Sequence, residues 1–324
     1  MFDWGWKKTA TFHLPVICVG NLSVGGTGKT PMVEYLLRLL SPQYKIATIS
    51  RGYKRQTTGM LIANKNTTAA EIGDEPLQFY SKFPGTKVVV AEKRAEAINS
   101  VVQQFPSIDV IILDDAFQHR AVSAGLNILL TEYSNLFVDD FYLPAGQLRD
   151  LKSNYKKAQA IVVTKCPPNL TVLQKNQVIQ KIGPQAYQQV FFTSIQYEQL
   201  YGVFHHAQKA LHDVQNALVV TGIANPNPLL SYLKRHDISF SIISFPDHHR
   251  FSQNDIDTVK KTFESMKQQN KIIITTEKDA MRLREFKHSL QEFPVFAIPV
   301  AHRFLFDEGD DFNKMVFRFI QNKK

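Results

Sequence analysis

The stretch "PVICVGNLSVGGTGKTPMVEYLLRLL", residues 15–40, restricts the fold more than any other part of the chain. An apolar run ends at Asn21, a glycine-rich turn follows, and apolar residues then recur at helical spacing. The turn approaches the phosphate-loop pattern G-x-x-x-x-G-K-[ST], with Ser23 standing where the first glycine belongs. A strand that ends in such a turn and opens a helix directs backbone N–H groups and the helix N-terminus at an anion. Ser23, Val24, Gly25, Gly26, Thr27, Gly28, Lys29 and Thr30 are therefore expected to cradle the phosphates of a nucleotide. Lys29 would reach the β- and γ-phosphates, and the Thr30 hydroxyl would ligate Mg²⁺. Gly25 and Gly26 supply backbone freedom close to where Ser23 removes some.

Apolar runs continue to alternate with helical patterns. "YKIATIS", "TKVVVAE", "IDVIILDD", "LNILLTE" and "QAIVVTK" read as buried strands, and "AEAINSVVQQF" as a helix between two of them. Unbroken apolar strands separated by helices predict a parallel sheet covered by helices on both faces. Near residue 165 the composition changes. "CPPNLT" breaks the pattern, "QVFFTSIQYEQLYGV" reads as an extended connector, and a second α/β alternation starts at "NALVVTGIANP". The reading is an α/β protein of two lobes: a phosphate-loop domain over 1–187, then an extended β linker and a smaller α/β lobe over 188–324. The C-terminal strand and helix are assigned to that second lobe.

The net charge of +9 favours an anionic partner, although a basic solvated surface would give the same figure. Interleaved basic and aromatic residues on one face are not evident, so no nucleic-acid partner is expected. Cys18 and Cys166 form neither a C-x-x-C pair nor a zinc spacing, and they fit a reducing compartment. No apolar run is long enough to span a bilayer. Phe2, Trp4 and Trp6 beside Lys7 and Lys8 suit a membrane interface or packing on the body of the protein.

Two further motifs carry chemistry. Asp114 ends the strand "VIILD", where a metal-organising carboxylate is expected, and Asp115 follows it directly. Adjacent residues at a strand end diverge, so one can serve the metal while the other faces an acceptor. "FPDHHRF" puts Asp247, His248 and His249 at a strand end of the second lobe, where a carboxylate can hold an imidazole tautomer. A GTPase would need N-K-x-D after a strand, and neither "VVTKCPP" nor "TTEKDA" supplies it.

"VGNLSVGGTGKTP", "SRGY", "GDEP", "LDDAFQHR", "LPAGQLRD", "TGIANP", "FPDHH" and "TTEKDA" follow one another over residues 19–280. In that order they resemble the lipid A tetraacyldisaccharide 4'-kinase family, in which a non-glycine at the Ser23 position is usual. The resemblance implies a Walker-type fold of two α/β lobes that uses ATP and Mg²⁺. The implied activity is transfer of the γ-phosphate to the 4'-hydroxyl of a tetraacyldisaccharide 1-phosphate. It also implies peripheral contact with the cytoplasmic face of the bacterial inner membrane, with no obligate protein partner. Residue by residue, it makes Asp115 the catalytic carboxylate, partnered with His248, and Asp247 the support of His248. Asp114 is the metal-side carboxylate, although the roles of Asp114 and Asp115 are exchangeable. Arg51, Arg120 and Arg149 are implied phosphate or substrate ligands. Members usually carry an apolar, basic helix ahead of an FDWG-like stretch; here that stretch lies at residues 2–5, so the helix is expected to be missing or cut.

Overall fold

The computed structural model describes residues 9–119 and 121–323. Phe2, Trp4, Trp6 and Arg120, all singled out above, lie outside the described residues. The strands in chain order are β1 (Val16–Asn21), β2 (Ile46–Ser50), β3 (Leu61–Ile62), β4 (Lys87–Val90) and β5 (Val110–Asp114). Next come β6 (Leu126–Glu132), β7 (Ala160–Thr164), β8 (Gln189–Tyr197), β9 (Leu200–Gly202) and β10 (Gln208–Lys209). The chain ends with β11 (Asn216–Thr221), β12 (Ser239–Ser244), β13 (Lys271–Thr276), β14 (Val295–Ile298) and β15 (Val300–Phe304).

Nine of them form one sheet in the order β15-β8-β7-β6-β1-β5-β2-β4-β3, parallel from β8 to β4 with an antiparallel strand at each edge. All of β1 and β5 is buried, as expected of strands sandwiched between helices. β1 lies between β5 and β6, so the strand order reverses there. The crevice at such a reversal, outside the carboxyl ends of the strands, is where α/β sheets take ligands. The β1–β5 register sets Val19 opposite Asp114, which brings that carboxylate beside the loop that leaves β1. The second sheet runs β10-β9-β14-β13-β11-β12, with its four central and edge strands β14, β13, β11 and β12 parallel.

The division expected at residue 187 needs correction. β8 and β15 both belong to the nine-stranded sheet, where Val300 pairs with Tyr197 and Phe304 with Thr193. The last helix, Gly309–Gln321, buries Phe312, Val316 and Ile320 among Ile17, Met32, Leu36 and Phe191 of the first lobe. Its amphipathic pattern was legible, but a pattern does not say which sheet will cover it. The connector is thus two strand crossings side by side, β8 into β9 and β14 into β15, joined where the Glu198 N–H donates to the Pro299 carbonyl (3.0 Å).

A buried charge cluster ties the lobes below the site. Lys82 donates to Glu34 (2.5 Å) on the helix Lys29–Leu40 and to Glu277 (2.6 Å) of the second lobe. Gln78 donates to both carboxylates (2.7 and 3.3 Å). Burial, and then the charge of Glu34, push the Glu277 carboxyl up to about 7. Removing only the cation strands buried charge, so Lys82→Met is expected to lower unfolding free energy by about 3 kcal/mol, read by urea titration.

Candidate active site

The phosphate loop is built from below by the edge of its own sheet. Gly28 caps the helix Lys29–Leu40 with φ +87°, a left-handed conformation that favours glycine. A Cβ there would lie 2.9 Å from the His302 ring. His302 comes from β15 and donates Nε2–H to the Gly28 carbonyl (2.8 Å), while the Thr193 hydroxyl donates to its Nδ1 (2.9 Å). The Thr164 hydroxyl of β7 donates to the Thr27 carbonyl (2.9 Å), and the Asn21 amide to the Thr27 hydroxyl (2.9 Å). Ser23 is buried in a β-bridge with Leu148, and its hydroxyl faces Asp140 (3.4 Å). The left-handed turns fall at Gly25 and Gly28, so nothing in the backbone requires glycine at 23.

Burial, the largest cause, drives the His302 imidazole down to about 4 from its ordinary 6.5. Between those values the unfolded chain binds the proton and the folded chain does not, so stability rises with pH. The contribution is complete above about 6.5 and is lost as pH falls toward 4. Moving from pH 7 to pH 5 should remove about 2 kcal/mol. Urea midpoints should show a correspondingly shallower pH dependence in His302→Gln, which keeps an N–H donor without titrating.

Above the loop sit the carboxylates. Asp114 is buried at the end of β5, and its Oδ1 has no hydrogen-bond partner. Burial first, then the charges of Glu75 and Asp115, push its carboxyl up to about 8, against the pull of Lys29 and Lys278. Asp115 turns away with φ +49° and is half-exposed. It pairs with Arg149 and lies 3.7 Å from the Lys29 ammonium. Arg149 also donates to the Asn21 side chain (2.7 Å), so this arginine straddles the end of β1 and the turn after β5. Arg51 is exposed after β2 at the same edge, near enough that Arg94, its pKa lowered first by burial, also feels its charge.

The helix Asp74–Lys82 supplies two groups that the sequence reading quoted within "GDEP" without singling out. Burial would raise the Glu75 carboxyl, but ion pairing with Lys278, the charge of Lys29 and the Thr30 hydroxyl hold it down to about 2. Asp74 accepts a hydrogen bond from His248 Nδ1 (3.0 Å) across the two lobes. His248 adopts φ +58°, its N–H donates to the Gly222 carbonyl (3.0 Å), and its ring meets that of Tyr53 at 5.2 Å. Asp279 accepts from the Gly222 N–H (3.1 Å) and pairs with Arg282, which also reaches the His249 carbonyl (2.9 Å). "TGIANP", "FPDHH" and "TTEKDA" are therefore one scaffold that presents His248 to the first lobe.

The expected Asp115–His248 partnership is corrected by this geometry. Asp115 is engaged by Arg149 and Lys29, whereas His248 is engaged by Asp74. Asp247 lies 3.8 Å from the other ring nitrogen, Nε2, and is half-exposed. Acidic residues in a first helical turn are ordinary partners of the helix dipole, which is why Asp74 and Glu75 drew no attention in sequence. Lys278 was hidden in the same way, as one cation in a short helix.

A cation would find a fitting place here. The partnerless Asp114 oxygen faces a region shared with Glu75, Thr30 and Lys29. Among the described residues no three His, Cys, Asp or Glu side chains form a metal cage.

Fold and site together define a P-loop phosphotransferase with a second lobe packed beside the phosphate loop. Comparison with known proteins narrows this class. Residues 1–321 match the tetraacyldisaccharide-1-P 4'-kinase family. The tetraacyldisaccharide 4'-kinase of Bacteroides thetaiotaomicron is 42% identical over 336 residues, spanning 99% of this chain and 88% of that protein. Its counterpart in Flavobacterium johnsoniae is 42% identical over 322 residues, covering 99% and 92%. A crystal structure of LpxK from Aquifex aeolicus in complex with ATP superposes with TM-score 0.76 at 29% identity, over 98% of this chain and 92% of that one. The chain belongs to the tetraacyldisaccharide-1-P 4'-kinase family.

Proposed function

We propose that this chain transfers the γ-phosphate of ATP to the 4'-hydroxyl of a tetraacyldisaccharide 1-phosphate, a step in lipid A synthesis. The observation that carries the reading is the Asp74–His248 hydrogen bond, which joins the lobes beside the phosphate loop. Thr30 and Asp114, with Glu75 adjacent, would hold Mg²⁺, which when bound offsets charge on the nucleotide phosphates. Lys29 sets a positive charge against the transferring group. The Asp74–His248 pair accepts the proton of the 4'-hydroxyl, with the imidazole fixing and stabilising the carboxylate as base. In this reading Arg149, paired with Asp115 here, trades that contact for phosphate oxygens, and exposed Arg51 meets the 1-phosphate. Because donor and acceptor groups come from different lobes, the site is complete only when both are packed together, which limits transfer to water.

The substrate places the work at a lipid surface, read here as the cytoplasmic face of the bacterial inner membrane. Among the described residues no helix is long and apolar enough to cross a membrane, which fits peripheral contact. Incubation with ATP, Mg²⁺ and tetraacyldisaccharide 1-phosphate in detergent should add one phosphate to the lipid by mass. Folded protein that adds none would overturn the reading.

A further inference from the structure

We propose that the loop over residues 140–151 is a bilayer-docking tip that seats the phosphate loop at the surface of an anionic membrane, a surface role that rests on the lipid-kinase reading. Phe141 is 68% exposed, Leu143 53% and Leu151 60%, and Tyr142, Pro144 and Ala145 beside them are exposed too. A contiguous apolar patch of this kind on a soluble surface marks an interaction site.

The tip is a formed structure. Asp140 accepts from the backbone of Phe141 (2.8 Å) and Gln147 (3.0 Å). Leu148 donates to the Phe141 carbonyl (2.9 Å), and Leu143 to that of Leu148 (3.0 Å). Its apolar side chains are therefore held outward by their own backbone bonds, and none of the described residues covers them.

Three observations select a lipid surface as the occupant. Lys156 and Lys157 lie at the far end of the short helix Lys152–Lys157 that follows Leu151, Lys157 exposed and Lys156 partly so. They add basic charge to the aromatic and aliphatic side chains, a mixture that suits the interface of an anionic bilayer. The tip leaves the carboxyl end of β6, the sheet edge that also carries the phosphate loop; on the helix after β7, at the same edge, Val172 and Leu173 are exposed as well. Finally, the tip is bonded to the phosphate loop itself. Val24 donates to the Gln147 carbonyl (2.8 Å) and Arg149 to that of Leu22 (2.9 Å). An acceptor with four acyl chains keeps those chains in the membrane, so the groups that act on its headgroup must lie at the interface. A tip rooted in the phosphate loop meets that requirement.

The test uses the full chain and vesicles of phosphatidylethanolamine and phosphatidylglycerol without any disaccharide, so its outcome does not depend on the kinase reading. Leu143→Trp should give a blue-shifted, intensified emission on adding vesicles, after subtracting the parent chain to remove Trp4 and Trp6. Val102→Trp, on the helix Arg94–Gln104 of the first lobe and also exposed, should give none. The variant F141S/L143S/L151S should bind vesicles at least tenfold more weakly while its thermal midpoint stays that of the parent. The proposal is overturned by an unshifted Leu143→Trp spectrum, by equal shifts at both positions, or by undiminished binding of the triple-serine variant. A triple-serine change that instead dissolves a dimer, with vesicle binding unaltered, would assign the patch to a second copy and equally overturn it.

Discussion

Asp74→Asn is expected to lower turnover by about 10²–10⁴-fold, the range for loss of a positioned general base, while leaving ATP affinity nearly unchanged. Asparagine keeps an oxygen that accepts from His248 Nδ1, so the 3.0 Å link between the lobes survives, while proton acceptance and the charge facing Arg282 Nε at 3.6 Å are lost. His248→Ala should fall within the same range, and the double variant should be little worse than either single one, because a pair acting as a unit is non-additive. Asp115→Asn serves as the control. It loosens Arg149 and Lys29, so its effect should appear mainly in the KM for ATP. Initial rates over a matrix of ATP and lipid concentrations separate these cases. Collapse of kcat in Asp115→Asn together with near-normal turnover in Asp74→Asn would return the base to Asp115.

Lys29→Met should reduce kcat by about 10²–10³-fold, comparable to deleting one preorganised group that meets developing charge. The position is demanding because Lys29 begins its helix directly after left-handed Gly28, so its side chain is aimed by backbone geometry. Its ammonium faces three carboxylates in this state, Asp115 at 3.7 Å and Glu75 and Asp114 through their fields. Lys29→Arg should not restore activity fully, because a planar guanidinium delivers its charge over a wider, differently shaped front than a compact ammonium. Single-turnover transfer with nucleotide held at saturation distinguishes loss of chemistry from loss of binding. An unchanged single-turnover rate in Lys29→Met would remove the residue from the transfer step.

The nucleotide half of the site was legible because it is local. Strand, turn and helix occupy consecutive residues, and the groups that make the loop work follow one another from Ser23 to Thr30. The position of Asp114 was legible for a related reason: it terminates an apolar strand, and the structure puts it at the end of β5, where ligands of a parallel sheet collect. The acceptor half was legible only as a set of motifs. "GDEP" and "TTEKDA" each open a helix in the structure, and in the second the Thr276 hydroxyl accepts from the Asp279 N–H (3.2 Å). A residue that caps or begins a helix gives no local sign that it also faces a partner in another lobe.

Taken alone, the amino-acid order determined that a P-loop α/β sheet would form, that it would bind phosphate, and, through the ordered motifs, which family the chain belongs to. Tertiary structure alone decided that the last strand and helix return to the first sheet. It likewise decided that His248 pairs with Asp74, 174 residues away, and that His302 supports Gly28 from 274 residues away. The physical reason is the same in each case. Loop geometry and helix periodicity arise from interactions between near neighbours in sequence, whereas strand partnering and contacts between lobes are settled by which apolar faces and buried charges satisfy one another once the chain has folded.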